Sequence, residues 1–193
     1  MTDRLDTTSA IRVLGIAGSL RRGSLNRALL RAAGELAPEG MTIETFDRLG
    51  EIPHFDQDLE ARGDPEPVAA LKEAMRGADA LLVVTPEYNY GVPGVLKNAL
   101  DWASRPPKGS PLIGKPAGIM GASPGMGGTA RAQMQVRQAF VFTQTLVMQG
   151  PEVLVARAHE KFDAEGRLTD EATRKFMGDF LERLGAWTLR LRG

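Results

Sequence analysis

Ser19, Arg21, Arg22, Ser24 and Asn26 fall within one ten-residue stretch, GSLRRGSLNR from Gly18 to Arg27, set between an apolar run and an amphipathic one. The hydroxyls and the amide donate hydrogen bonds, the guanidinium groups carry positive charge, and Gly18 and Gly23 admit backbone to close range. That combination suits a phosphate. The flanking elements decide whether these groups act together. Ile11, Val13, Leu14 and Ile16 lack polar alternation, as in a parallel strand covered on both faces. Leu25, Ala28, Leu29, Ala32, Ala33 and Leu36 recur every three or four residues and lay one apolar stripe along a helix. A strand feeding directly into a helix aims the helix's unpaired amides and positive dipole end at the loop between them. For the loop by itself a plainer alternative stands alongside: Ser24 caps the helix and the arginines are solvated.

A second cluster follows the most apolar run of the chain, Ala80 to Val84. Both tyrosines, Tyr88 and Tyr90, lie in the turn Thr85-Pro86-Glu87-Tyr88-Asn89-Tyr90-Gly91. A bulky turn at the carboxyl end of a central parallel strand is where open α/β sheets bind ligands, and two aromatics with an asparagine and backbone amides suit a flat, hydrogen-bonding ring. Tyrosines that cement a subunit interface are the alternative. A third loop, Ser123-Pro124-Gly125-Met126-Gly127-Gly128, follows the apolar run Ala117 to Ala122 and precedes a helix over about 129–142.

Positioning these loops takes a complete sheet. Met41 to Phe46 alternates like a strand near an edge, and a last strand spans 146–155 with an interruption at Gly150-Pro151, where proline cannot join a ladder. Helices are expected around Val68 to Ala78, from Val95 to Ala103, and from about Thr169, the last with Phe176, Phe180, Leu184 and Trp187 as core. Five strands alternating with helices predict a three-layer, doubly wound parallel α/β sheet, with strand order 2-1-3-4-5 favoured by a phosphate loop after the first strand. The polar excursion 47–67 is long for a compact domain, which points to a functional loop or a partner contact.

At 193 residues the chain fits one domain, 1–193, with residues 1–9 expected to be a loose tail. Zero net charge and scattered Lys and Arg give no pull toward nucleic acid or an anionic membrane, and no acidic excess suited to a docking electron shuttle. The absence of cysteine excludes disulfides, thiolate zinc sites and a cysteine nucleophile, and matches a reducing cytoplasm. His54, between Pro53 and Phe55, has no nearby second ligand, so no metal site is expected. No apolar segment is long enough to span a bilayer and MTDRLDTTSA lacks a hydrophobic signal core; the expectation is a soluble, cytoplasmic protein.

Two motifs mislead. Gly109 to Pro116 nearly spells a nucleotide P-loop, but proline stands where the magnesium-binding hydroxyl belongs and the segment precedes a strand. Gly125 to Ala130 fits a dinucleotide fingerprint after a strand, with Glu152 downstream. The better phosphate loop lies in the first unit, which leaves these glycines to give a flat ligand room.

Together GSLRRGSLNR (18–27), TPEYNYGVPGVLKNALDW (85–102) and GASPGMGGTARAQ (121–133) resemble the NADPH-dependent FMN reductases, a family that includes quinone, chromate and azo-dye reductases. The likeness runs from about residue 11 to 190 and implies a flavodoxin-like fold. It implies that Ser19, Arg21, Ser24, Leu25 and Asn26 hold the FMN phosphate, and that Pro86, Glu87, Tyr88, Asn89, Tyr90 and Gly91 cradle the ring. Ser123 and Gly125 would pass beside it. NADPH or NADH would deliver hydride to the flavin, and a small quinone-like acceptor or free flavin would then take the electrons in the same place. No side chain need act as general acid, so no catalytic residue is named. A homodimer or homotetramer is implied, with Ala130 and Met134 on a helix that helps form subunit contacts. Two rivals remain: a flavin-binding electron carrier or redox sensor, and a dehydrogenase that binds a dinucleotide at Gly125 to Ala130.

Overall fold

The computed structural model describes residues 10–192, so the expected tail over 1–9 lies outside the described residues. Strands β1 (Ile11–Ala17), β2 (Met41–Phe46), β3 (Ala80–Val84), β4 (Pro116–Ala122), β5 (Leu146–Val147) and β6 (Val153–Val155) form one sheet. Its order is β2-β1-β3-β4-β5, and β6 also pairs with β4. All pairings are parallel, with Val13 opposite Ala80 and Leu81 opposite Ala117. The expected order is therefore found, and its last strand is split. β5 pairs with the start of β4 and β6 with its end, across the Gly150-Pro151 gap where no ladder bond is possible.

The α-helices among the described residues are α1 (Leu25–Glu35), α2 (Gln57–Glu60), α3 (Glu66–Gly77), α4 (Gly94–Ala103), α5 (Ala130–Phe142) and α6 (Glu171–Leu191). Alternation along the strands sends Leu82 and Val84 to one face and Leu81 and Val83 to the other. The first face packs on α1 through Leu29 and Ala33 and on α6 through Met177, Phe180 and Leu184. The second packs on α3, α4 and α5 through Leu71, Met75, Leu96, Trp102 and Phe140. β3 and β4 are buried along their whole length, which explains why both read as unbroken apolar runs.

The excursion 47–67 packs on the core. Leu49 and Ile52 are buried, and the Phe55 ring meets Trp102 edge-on at 5.0 Å. The Pro53 carbonyl accepts hydrogen bonds from Asn98 Nδ2 and Trp102 Nε1, both at 2.9 Å. Lys72, 1% exposed, closes the segment through Asp64 at 2.6 Å. The helix α6 aromatics divide: Phe180 is core, Phe176 is exposed, and Trp187 is half-buried with Nε1 donating to the Leu146 carbonyl at 2.8 Å. Helical spacing placed all three on one stripe, but the stripe on a long terminal helix is wider than the sheet it covers. No helix among the described residues is long and apolar enough to cross a membrane.

Candidate functional site

Three loops leave the carboxyl ends of β1, β3 and β4 side by side. In the first, Ser24 is the N-cap of α1, its Oγ accepting from the Asn26 and Arg27 amides at 3.2 and 3.3 Å. The plain capping role is thus real, and it leaves the Ser24 hydroxyl proton free to be donated elsewhere. The Leu25 amide has no partner among the described residues. Ser19 Oγ accepts from the Arg21 amide at 3.4 Å, and the Arg21 side chain is exposed.

Asn26 is placed differently from the expectation of a side-chain phosphate donor. Its Nδ2 donates to the Ala122 carbonyl and its Oδ1 accepts from the Ala122 amide, both at 2.8 Å, in a side chain 3% exposed. It braces the start of α1 against the end of β4.

The second loop is closed by a two-residue turn. Tyr88 and Gly91 exchange backbone hydrogen bonds at 3.0 and 2.9 Å, with Asn89 and Tyr90 at φ 51° and 64°. Both central residues lie in the left-handed region, as in a type I′ hairpin, and a tyrosine there is strained. The turn is held from outside. Glu87 accepts from the Arg131 and Ala132 amides at 2.9 and 3.2 Å, which makes its carboxylate the cap of α5. The Arg131 guanidinium pairs with Glu87 and stacks 4.0 Å from the Tyr90 ring centre. Gln135 Oε1 accepts from the Val92 amide at 2.9 Å and fits against Gly91. Tyr88 Oη lies 3.4 Å from Ser19 Oγ and links this turn to the first loop.

In the third loop the Gly125 amide donates to Ser123 Oγ at 3.1 Å, and the Ala158 amide to the Ser123 carbonyl at 3.0 Å. Just before it, Gly121 has no room for a methyl group: a Cβ there would overlap the Thr129 hydroxyl and the Thr85 carbonyl.

Two adjoining cavities result. One of about 400 Å³ lies between the first loop and the turn, lined by Ser19, Arg21, Ser24, Leu25 and Asn26 on one side and by Pro86, Glu87, Tyr88 and Ser123 on the other. The other, about 350 Å³, shares Glu87 and Ser123 and adds Asn89, Tyr90 and Gly125. Gly91 alone of the expected site residues lines neither; it closes the turn. Pro124, Met126 and Arg131 also line the cavities and were missed. Pro124 and Met126 sit inside a loop already singled out, whereas Arg131 had no signal in its spacing.

His54 is exposed, and no cluster of potential metal ligands occurs among the described residues. Lys115 of the false P-loop donates to the Ala78 carbonyl, and partial burial lowers its pKa. The amino end of α5, where a dinucleotide's pyrophosphate would sit, is filled by the Glu87 carboxylate. That removes the dehydrogenase rival.

A family model described as NADPH-dependent FMN reductase matches residues 11–160. The chain belongs to the NADPH-dependent FMN reductase family. It is 52% identical over 183 residues to an NAD(P)H-dependent FMN reductase of Pseudomonas aeruginosa, covering 95% of this chain and 98% of that one. It is 41% identical over 178 residues to a 2-hydroxy-1,4-benzoquinone reductase of a Burkholderia species, covering 92% and 96%. Among solved structures, FerB, a flavoenzyme NAD(P)H:(acceptor) oxidoreductase of Paracoccus denitrificans, superposes with a TM-score of 0.86 at 37% identity, covering 94% of this chain and 98% of that one. This member of the NADPH-dependent FMN reductase family is therefore an oxidoreductase with FMN as cofactor and NAD(P)H as co-substrate.

Proposed function

We propose that the two joined cavities seat FMN and that the enzyme passes electrons from NAD(P)H to a small quinone-like acceptor. The observation that carries this reading is the convergence of an anion-binding end and a flat, amide-lined end in one continuous hollow. At the first end, the free Leu25 amide, the Ser24 hydroxyl proton, the dipole of α1 and Arg21 all favour a phosphate. At the other, the Glu87 and Asn89 amides have no partner among the described residues and are available to the edge of a ring. Pro86 and Tyr88 supply apolar surface beside them. The donor set thus fits a flavin mononucleotide, with Asn26 and Glu87 acting as braces.

Bound there, FMN supplies the hydride chemistry. The chain's residues bind and orient. Amides of the 85–91 turn lie ready to stabilise negative charge on the ring without reorganising, because Glu87, Arg131 and Gln135 already fix the turn. Quinone as the acceptor is supported by the quinone and benzoquinone reductases among the relatives. A cytoplasmic setting belongs to the same reading and agrees with the lack of cysteine. So does assembly into two or four copies: α5 leaves Met134, Val141 and Phe142 59%, 80% and 81% exposed, more apolar surface than one helix of a lone domain usually shows.

The test is direct. The purified protein should be yellow, bleach under anaerobic NADPH and recolour on addition of a benzoquinone. A colourless protein that FMN cannot reconstitute would overturn the assignment.

A further inference from the structure

A third hollow, about 510 Å³, opens on the far side of the first loop, between that loop with α1 and the segment 159–166. Its volume is within the roughly 300–1,000 Å³ typical of small-molecule sites. It shares Arg21, Ser24, Leu25 and Pro124 with the proposed flavin phosphate cavity, so the two adjoin at the loop.

Its charge is uncompensated. Arg21, Arg22 and Arg31 line it, and none pairs with a carboxylate among the described residues. The acids on its rim, Asp163 and Glu165, are both committed to Arg167, at 2.7 and 3.3 Å. Hydrogen bonds from the Arg167 amide and guanidinium hold the Asp163 carboxyl below its usual pKa, so the pair stays formed. Arg31 donates only a long hydrogen bond, 3.5 Å, to the Gly166 carbonyl, and three guanidinium groups without a carboxylate partner exceed what one phosphate monoester, of charge about −2 at most, can neutralise. Phe162, half-buried, lines the opposite wall, and Leu25 and Ala28 add apolar surface on the α1 side. An aromatic face beside unpaired arginines is the pairing that holds a purine with its phosphate.

We propose that this hollow binds an adenylate, with the purine against Phe162 and the phosphate among Arg22, Arg31 and Arg21. The proposal rests on placing the flavin phosphate at the start of α1, since the adenylate continues from that point. Two molecules carry such a group here: FAD, whose adenylate is joined to the flavin phosphate, and NAD(P)H, whose adenylate lies at the end away from the nicotinamide.

The test uses the FMN-loaded protein and 5′-AMP as probe, by calorimetric titration. The wild type should bind AMP, the Arg31→Glu variant at least about tenfold more weakly, and Arg31→Lys close to wild type. Arg31 lines this hollow and not the flavin cavities. Two further ratios identify the source. A fall in FAD affinity relative to FMN on reconstituting the Arg31→Glu apoprotein assigns the adenylate to flavin. A rise in KM for NADPH, without one for reduced nicotinamide mononucleotide, assigns it to the co-substrate. AMP that does not bind the wild type, or that binds Arg31→Glu equally well, overturns the proposal. Failure of the flavin assignment shows separately, as wild-type protein that takes up no FMN.

Discussion

Replacing Asn26 separates a ligand from a brace. The family likeness makes it a phosphate contact, whereas its side chain spends both ends on the Ala122 backbone, 96 residues away, at 2.8 Å each. Asn26→Ala would strand a buried N–H and a buried C=O. Each such group costs about 1–3 kcal/mol, so the loss is about 4 kcal/mol, nearer 2 if water enters the gap. At 2–4 °C per kcal/mol for a chain of this size, that central value lowers Tm by roughly 8–16 °C. Urea unfolding should show a lower midpoint at unchanged slope. Flavin affinity, measured by fluorescence quenching well inside the folded baseline, should fall by less than the stability does. The Asn26→Asp variant sharpens the test. Its new carboxylate could accept from the Ala122 amide but would face the Ala122 carbonyl, so burial and that oxygen raise its folded pKa above its unfolded one. A group raised in this way disfavours the fold as pH rises through the folded pKa, and protonation restores the lost donor. This variant should therefore recover stability between pH 8 and pH 5 relative to wild type. An Asn26→Ala protein with wild-type stability and a flavin affinity lowered about a hundredfold would refute the brace.

Three further outcomes follow from the same geometry. Arg21→Ala should weaken FMN about ten- to a hundredfold, the worth of a charge-assisted hydrogen bond, and flatten the salt dependence of flavin release; an unchanged dissociation constant would remove Arg21 from the phosphate site. Gly121→Ala should fail to accumulate as folded protein, because the methyl meets the Thr85 backbone as well as the Thr129 hydroxyl; a circular dichroism melt like wild type would show that β4 and α5 can part there. Asp170 caps α6 by accepting from Thr173 at 2.8 Å, and the Thr173 hydrogen bonds and Lys161 hold its carboxyl below the usual range. Asp170→Ala should cost about 1 kcal/mol at pH 7. Because the depressed carboxyl contributes this stability while ionised, the gap from wild type should narrow as pH falls below about 4 toward the folded pKa; a gap that does not narrow on acidification would exclude the ionised cap.

What the sequence disclosed was local. The run Ile11 to Ala17, the stripe of α1 and the cap at Ser24 each depend on neighbours within a few residues, and all three are found where expected. The turn carrying Tyr88 and Tyr90 was legible because glycine, proline and asparagine mark it. Its type was hidden, since nothing in the spacing puts a tyrosine at φ 64°. The roles of Asn26 and Glu87 were hidden for a different reason. Both side chains look like ligand donors beside a binding loop, and both find backbone partners far along the chain, Ala122 for one and Arg131 for the other. Likewise the polar excursion 47–67 hid its core contacts, because Leu49, Ile52 and Phe55 are three isolated apolar residues in a polar, proline-broken segment, yet they join the core that holds Trp102, which the Phe55 ring meets edge-on.

These long-range braces bear on what the site can discriminate. Ser19 to Tyr88, Asn26 to Ala122 and Glu87 to the start of α5 stitch three loops from three strands into one rigid rim. Several polar side chains that a substrate would otherwise meet are thereby engaged, and on the proposed reading the groups left for the cofactor are backbone amides at the ring end and the Ser24 hydroxyl with guanidinium at the phosphate end. On that reading both recognise features of a cofactor. The outer wall of the cavities is formed instead by Tyr90 and Met126, 69% and 72% exposed, with no fixed hydrogen-bonding array between them. A wall of that kind excludes by shape and gains little from any one polar group, so differences among acceptors of similar size amount to a few methylenes' worth of contact, about 1–3 kcal/mol. On the proposed reading, selectivity for the flavin and tolerance toward the acceptor have one structural cause: the fold spends its directional groups on holding the loops that hold the cofactor.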